Sequence, residues 1–401
     1  MYDDALKICR VEELSGVNSA KIGVERFDDL PQPTGVANYA SRLLSAAIPL
    51  LPQFEFRVYD AGSWATLNKG QRAKSRLSIA QDSNLRAYLR KVSVVRAVYS
   101  ALRTALFSRS VRKAGLSFFH ALNFRPPDFG VPFLPVIHDL SYKRFPNFHP
   151  AERLRWLDAL DNRIGHGSVV QTVSEFSACE IESYFGIPRS DIAVIYPMVS
   201  DLYIRHIPNA STLGLFGLAD RSYFLSVCTM EPRKNLKTLV DAYSMLPLVI
   251  RRRVPLVLVG AGGWGELGFT VAANRLEREG SLLRLGFLPE AILADLYAHS
   301  LALCYSSLYE GFGMPVAEAL CFDCPLILSD IPSLREASFG RGDFVHPLDV
   351  DAWRATLLAA AEGGPITSAH PNGVALVQSR QEVASVSTAL GNLYLRMLEK
   401  V

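Results

Sequence analysis

The chain has 401 residues, too many for one ordinary core, so two domains of roughly 150–200 residues are expected. Apolar residues make up 49% and charged residues 20%, a globular balance, and no run of about 18 uncharged apolar residues offers a membrane span. The opening MYDDALKICR places acids where a secretory signal carries bases, and no apolar stretch follows, so a cytoplasmic location is expected.

In chain order, strand-like runs are read at 21–27, 54–60, 116–120, 133–137, 168–173 and 192–196. Helical segments fall between them at 36–47, 151–164 and 175–184, and the stretch 62–114 reads as mostly helical and irregular. From residue 197 to 218 polarity is mixed and no period is visible, which marks a linker. Further strands are read at 223–229, 255–259, 282–287, 301–306, 325–329 and 343–346, with a helix after nearly every one. Short, continuously apolar strands alternating with helices imply parallel sheets buried on both faces, here in two doubly wound α/β domains. The expected division is residues 1–200 and 201–385, with the final helix, 386–401, free to pack back on the first half.

The modest net charge of +3 hides an uneven distribution. Between Lys69 and Lys113 there are twelve basic residues and one acid, Asp82. Arg86, Arg90 and Arg96 are interleaved with Leu85, Leu89, Val92 and Val95, the pattern of a basic amphipathic helix suited to an anionic membrane surface or of a solvated face on a core helix. Cys321 and Cys324 form a C-x-x-C pair without the second ligand pair a zinc site needs. Asp349-Val350-Asp351 precedes a helical stretch and reads as a helix cap rather than a metal site.

Open parallel sheets bind ligands at the carboxyl ends of their strands, and the unusual residues gather there. Arg233 and Lys234 lie in the loop after the strand at 223–229, just before a helix. A helix N-terminus favours anions, and a guanidinium and an ammonium beside it suit a diphosphate. The alternative is a pair of solvated loop charges. The segment SSLYEGFGMPVAEAL brings Glu310 in a loop, glycines at 311 and 313, and Glu318 in the following helix. The glycines allow backbone amides to approach a ligand, and Glu318, among apolar neighbours, needs a partner such as a ribose diol.

These segments resemble the retaining family-4 glycosyltransferases of the GT-B fold, in which two Rossmann-like domains face each other across a cleft. The resemblance rests on Glu310, the seven residues 311–317 and Glu318, and on Glu231-Pro232-Arg233-Lys234-Asn235. It is extended by the strand and glycine loop at 256–265, by Thr172-Val173-Ser174-Glu175-Phe176-Ser177, and by the first glycine loop at Thr34-Gly35-Val36-Ala37-Asn38-Tyr39. It covers nearly the whole chain and weakens over 62–114.

The resemblance implies that Arg233 and Lys234 hold a donor diphosphate, that Glu318 binds its ribose, and that Glu310 contacts the sugar. The backbone at Gly311, Phe312, Gly313 and Met314 would grip the donor, and Gly35 would lie near the phosphates. His138, at the end of the strand 133–137, would stand close to the donor sugar, with His120 a lesser candidate and Asp139 a turn residue fixing His138. No carboxylate stands out as a nucleophile, so transfer on one face of the sugar, without metal or other cofactor, is expected. The surroundings of Glu310 and His138 look most like bacterial mannosyltransferases of surface-polysaccharide assembly. They favour GDP-mannose over UDP-sugars and a lipid-linked or oligosaccharide acceptor, with no nucleic-acid partner. A GT-B-type sugar-nucleotide epimerase and a non-catalytic sugar-nucleotide-binding protein remain the alternatives.

Overall fold

A computed structural model describes residues 20–24, 35–60, 63–66, 109–111, 113–123, 131–165, 167–263, 268–366 and 372–401. The basic residues at 86, 90, 91 and 96, the start of the first glycine loop at Thr34, and Trp264-Gly265 of the second fall outside these residues.

Two sheets organise the chain. The first contains β1 (Ala20–Val24), β2 (Phe54–Asp60), β3 (Ser63–Thr66), β4 (Phe118–Ala121), β5 (Phe133–Ile137), β6 (Val170–Thr172) and β7 (Ile192–Val194). Its strand order is β3-β2-β1-β4-β5-β6-β7. Every neighbouring pair is parallel except β2 and β3. Strand β3 corrects the helical reading at the start of 62–114: it runs antiparallel to β2 with Trp64 opposite Tyr59, and Trp64 packs edge-on against Phe119.

The second sheet contains β8 (Phe224–Val227), β9 (Leu256–Val259), β10 (Leu282–Gly286), β11 (Ala302–Tyr305), β12 (Leu326–Ser329) and β13 (Asp343–Val345). All its pairings are parallel, in the order β10-β9-β8-β11-β12-β13. Strands β8, β9, β11 and β12 are largely apolar and buried at every residue, as strands covered on both faces are. Both sheets reverse their strand order once, between β1 and β4 and between β8 and β11, and the loops leaving such a switch point form a crevice. The architecture is the two-domain, doubly wound α/β arrangement expected.

Helix α1 (Gly35–Ala47) buries Tyr39, Ala40, Leu43, Leu44 and Ala47, one stripe at helical spacing. The last helix, Val383–Glu399, packs on α1 and the first sheet. Its Tyr394 ring meets Phe54 at 5.4 Å and Phe118 at 5.5 Å. Its Gly391 allows close approach, since a Cβ there would lie 3.0 Å from Leu51 Cδ2. The chain therefore crosses between the domains twice, and the crossings touch: Gln381 Nε2 donates to the Pro197 carbonyl (2.6 Å) and Gln381 Oε1 accepts from Val199 N (2.8 Å).

The aperiodic linker is built on polar contacts. Asp295 collects His206 Nε2 (2.7 Å), Asn209 N (2.8 Å) and Thr212 Oγ1 (2.6 Å), which ties the linker to the second domain. Asp349 Oδ1 accepts from Ala352 N at 2.9 Å, so the D-x-D segment caps its helix. Cys324 is buried with its sulfur 3.0 Å from Ser300 Oγ.

Tyr394→Ala should destabilise the first domain by about 3–5 kcal/mol, the cost of emptying a packed aromatic site. Denaturant titration should show the unfolding transition of the first domain moving to lower denaturant; an unchanged midpoint would mean that the last helix is only loosely attached.

Candidate active site

The loops leaving β8 and β11 meet at the crevice. After β8 the chain makes a short 3-10 turn, Pro232–Lys234, and enters a helix at Leu236. Asn235 between them has φ 52°, a left-handed conformation that asparagine tolerates better than most residues. Its amide donates to the carbonyls of Ser306 (3.1 Å) and Pro347 (2.6 Å), while its Oδ1 accepts from Thr238 Oγ1 (2.9 Å). The turn is also joined to the β11 loop by Leu308 N donating to Arg233 O (2.9 Å) and Ser306 Oγ donating to Lys234 O (3.0 Å). Two backbones bonded this closely fix the side chains they carry.

Those side chains form a buried ionic cluster. Lys234 Nζ lies 2.5 Å from Glu310 Oε1 and 3.1 Å from Tyr305 OH. Arg233 Nη1 donates to Glu310 Oε2 and to the Tyr309 carbonyl, both at 3.0 Å, and Nη2 donates to Glu231 Oε1 at 2.8 Å. Ser307 Oγ adds a bond to Glu310 Oε1 at 2.7 Å. Glu310 is only 5% exposed, Lys234 is buried with it, and the Arg233 side chain is 14% exposed, so neither cation is a solvated loop charge.

Burial by itself would drive the Glu310 carboxyl upward. Lys234 and then Arg233 outweigh that and hold it down at about 2. Burial likewise works against the Arg233 charge, but Glu310, Asp139 and Glu231 keep the guanidinium well above its ordinary value. Cys228, beside this group, has its thiol pushed up to about 12 by burial and stays protonated.

The first domain supplies the opposite wall. His138 follows β5, and its Nε2 is 2.9 Å from the Leu122 carbonyl. A carbonyl only accepts, so Nε2 carries the proton and Nδ1 is the acceptor side of the ring. Burial holds the imidazole below its ordinary pKa and therefore neutral. Tyr39 packs edge-on against it at 5.1 Å. Asp139 makes the expected turn, accepting from Ser141 N at 2.9 Å, and also reaches across the crevice to within 3.8 Å of Arg233 Nη1.

Gly311 is pressed against the His138 backbone: a Cβ there would lie 2.0 Å from the His138 carbonyl oxygen. Gly313 has φ 115° and lies under Leu334, whose Cδ2 would be 2.7 Å from a Cβ. Both positions need glycine for close approach, and Gly313 also for its backbone conformation.

Glu318 belongs to a second group. It lies in the helix Met314–Leu320, half-buried, and accepts from Tyr297 OH at 3.0 Å. Burial pushes its carboxyl up to about 7 against the opposing charge of Arg42. Arg42 in turn bonds Glu290 Oε1 (2.5 Å) and the Met198 carbonyl (3.0 Å), joining the domains at this edge.

Other candidates are placed differently. Phe312 is buried, with its ring 5.8 Å from that of Tyr196, so its side chain belongs to packing. Met314 packs on the core as well. Gly35 is the exposed first residue of α1, and a Cβ there would meet nothing within 4 Å. His120 is not a cleft residue: it is fully buried, its Nδ1 is 2.9 Å from Tyr394 OH, and burial takes its pKa down to about 3. Glu231 and Asn235, which flank the Arg233-Lys234 motif, complete the cluster together with Tyr305 and Ser307, for which the only signal in the sequence was nearness to Glu310.

This geometry agrees with what the chain is similar to. Residues 217–362 match the family described as glycosyl transferases group 1. The O-antigen chain mannosyltransferase B of Escherichia coli is 30% identical over 332 residues, covering 82% of this chain and 87% of that protein. Among solved structures, sucrose-phosphate synthase from Thermosynechococcus elongatus superposes with a TM-score of 0.65 at 18% identity, over 95% of this chain and 100% of that one. WaaG, a glycosyltransferase involved in lipopolysaccharide biosynthesis, gives 0.63 at 14% identity, over 92% and 98%. The chain belongs to the group 1 glycosyl transferases, and its two facing domains have the GT-B fold. It is a glycosyltransferase.

Lys234→Met keeps the volume but leaves Glu310 buried with Arg233 as its one remaining cation. Loss of one partner from a buried pair predicts destabilisation of about 3–5 kcal/mol, read from urea titration of the second domain. Glu310 has a depressed pKa, so its contribution to stability is present above about 4.5 and disappears as pH falls toward about 2. Lys234→Met raises the folded pKa, so that acid-dependent loss should be smaller and should end at higher pH, and an unchanged acid limb would show that Lys234 does not hold the carboxylate.

Proposed function

We propose that this glycosyltransferase moves a hexose, specifically mannose, from GDP-mannose to a glycan or lipid-linked acceptor in surface-polysaccharide synthesis, with retention of configuration and without a metal. The observation that carries this reading is the buried cluster of Arg233, Lys234 and Glu310 facing His138 across the crevice. The name of the Escherichia coli relative supports mannose and the polysaccharide setting.

Arg233 and Lys234 take the donor diphosphate and stabilise it as charge develops on the leaving nucleotide. They stand at the switch point of the second sheet, where α/β domains bind phosphorylated ligands. Glu310 serves the sugar, with the backbone from Gly311 to Met314 around its hydroxyls. Held at about 2 and engaged by two cations, Glu310 is too weak a base to deprotonate an acceptor. That supports transfer on one face of the sugar, with a donor phosphate oxygen taking the acceptor proton while the new glycosidic bond forms and the old one breaks. His138, neutral and with Nδ1 as an acceptor, orients a sugar hydroxyl, and Gly35 leaves room near the phosphates. An acceptor carried on lipid would bring the first domain to the inner face of the membrane through residues 69–113.

Arg233→Ala should lower kcat/KM by roughly 10²–10³, the loss typical of one preorganised charge-stabilising donor. The donor is tested by thermal shift: at ~100 times its dissociation constant a ligand adds about 2.7 kcal/mol. GDP-mannose should raise the midpoint more than UDP-sugars do; the reverse order would remove the GDP assignment. NMR of the product gives the anomeric outcome, and release of nucleotide without any acceptor would favour an epimerase.

Glu318 gives a pH test. As a carboxylate it accepts from both ribose hydroxyls, so with a pKa of about 7 donor affinity should strengthen as pH rises through neutrality. Glu318→Gln should flatten that limb of log kcat/KM. An identical profile in the variant would take Glu318 out of the donor site.

A further inference from the structure

One end of a first-domain helix meets the donor loop directly. Helix α2 (Glu175–Phe185) is capped by Ser174, whose Oγ accepts from Ser177 N at 3.0 Å and donates to the Gly311 carbonyl. Ser177 Oγ donates to the same carbonyl at 3.1 Å. Both serines are buried at 1% exposure or less, so water does not compete for the carbonyl they hold. The peptide joining Gly311 to Phe312 is trans, like the other peptide bonds among the described residues. Its N–H therefore points opposite to its carbonyl, so fixing the Gly311 oxygen from the first domain also fixes the direction of the Phe312 amide.

The same helix end is fastened from a second direction. Glu336, in the second-domain helix Pro332–Ala337, accepts from Glu175 N at 2.7 Å through Oε1 and from Phe176 N at 3.0 Å through Oε2. Tyr196 OH donates to its Oε1 at 2.9 Å. A carboxylate on the free amides of a helix start is favoured by hydrogen bonding and by the helix dipole together. Arg380 lies over the rings of Tyr196 and Phe339 and donates to the Glu336 backbone carbonyl at 2.7 Å, which supports the clamp from behind. Farther along α2, Glu180 accepts from Tyr309 OH, whose oxygen also takes the Leu140 amide at 2.9 Å. Residues 309 and 311 on either side of Glu310 are thus both gripped by the first domain.

We propose that Ser174 and Ser177 are positioning residues for the donor loop: by holding the Gly311 carbonyl they aim the Phe312 amide, and Glu336 clamps the helix end that carries them. Donor-site geometry is complete only when the two domains are closed on each other. The phosphate-binding pair needs no such help, because Arg233, Lys234 and Glu310 all belong to the second domain. The catalytic part of this inference rests on the proposed donor site.

The test uses the full-length chain with Ser174→Ala/Ser177→Ala, Ser174→Thr and Glu336→Gln. Three readouts are taken: kcat for transfer, the dissociation constants of GDP and UDP by calorimetry, and amide hydrogen exchange across residues 309–314. The double serine variant should lose at least ten-fold in kcat and show at least ten-fold faster exchange at the Phe312 amide, with nucleotide affinity within two-fold of wild type. Ser174→Thr keeps both the cap and the donor hydroxyl and should restore most of the rate, while Glu336→Gln should fall between. The proposal is overturned if exchange at Phe312 is unchanged in the double variant. It is also overturned if rate, nucleotide affinity and urea midpoint fall together, as general destabilisation would make them. Absence of transfer by the wild type would remove the donor assignment, while hydrogen exchange would still decide whether the serines hold the loop.

Discussion

Glu310 is a buried carboxylate held between buried Lys234 and partly buried Arg233, and much of the second domain's loop structure follows from that arrangement. Taking a carboxylate, an ammonium and a guanidinium out of water costs several kcal/mol for each ion, and attraction compensates only where the geometry is close. Closeness comes from the backbone. Asn235 turns the chain through a left-handed conformation and bonds across to Ser306 and Pro347, while Leu308 and Ser306 bond back to the Arg233-Lys234 turn. The strands beneath are short, buried and uncharged, which leaves the charged residues to the loops at their carboxyl ends. The charge cluster is therefore a property of two loops held in register by a parallel sheet.

The same constraint explains how the domains meet. The two cations and two acids of the cluster balance within the second domain, and the opposite wall brings a third acid, Asp139, to within 3.8 Å of Arg233. That wall is backbone at its closest point, where Gly311 lies against the His138 carbonyl. Side-chain contacts surround it, from Arg42 and Glu290 at one edge to Glu336 on the start of α2 at another. The two chain crossings are bonded to each other through Gln381, so hinge motion must bend both together. The side-chain contacts at these edges are polar, as is usual between domains of one chain.

The strands were legible because each is an apolar run bounded by turn residues; β9 shows this, with Leu256–Val259 buried throughout. Strand β3 was not, since Ser63–Thr66 is four residues without apolar alternation, and its place depends on a reversal from β2. Arg233, Lys234, Glu310 and Glu318 were legible as unusual residues at strand ends. Their grouping was not: Glu310 joins the two cations, whereas Glu318, eight positions later, bonds Tyr297 and feels Arg42 from the other domain. His120 and His138 look alike in the sequence, each at the end of an apolar strand, yet one is sealed against Tyr394 and the other faces the crevice.

Local order thus determined the parallel sheets, the phosphate-suited turn and the glycine-spaced carboxylates, because periodicity, turn chemistry and helix starts act over a few residues. Tertiary structure alone decided which charges are shared, which histidine is buried, and that α2 of the first domain holds the loop after β11 in the second. Those outcomes depend on burial and on contacts between residues more than a hundred positions apart, such as Ser174 with Gly311, and desolvation and hydrogen-bond geometry are defined only once the chain has closed on itself.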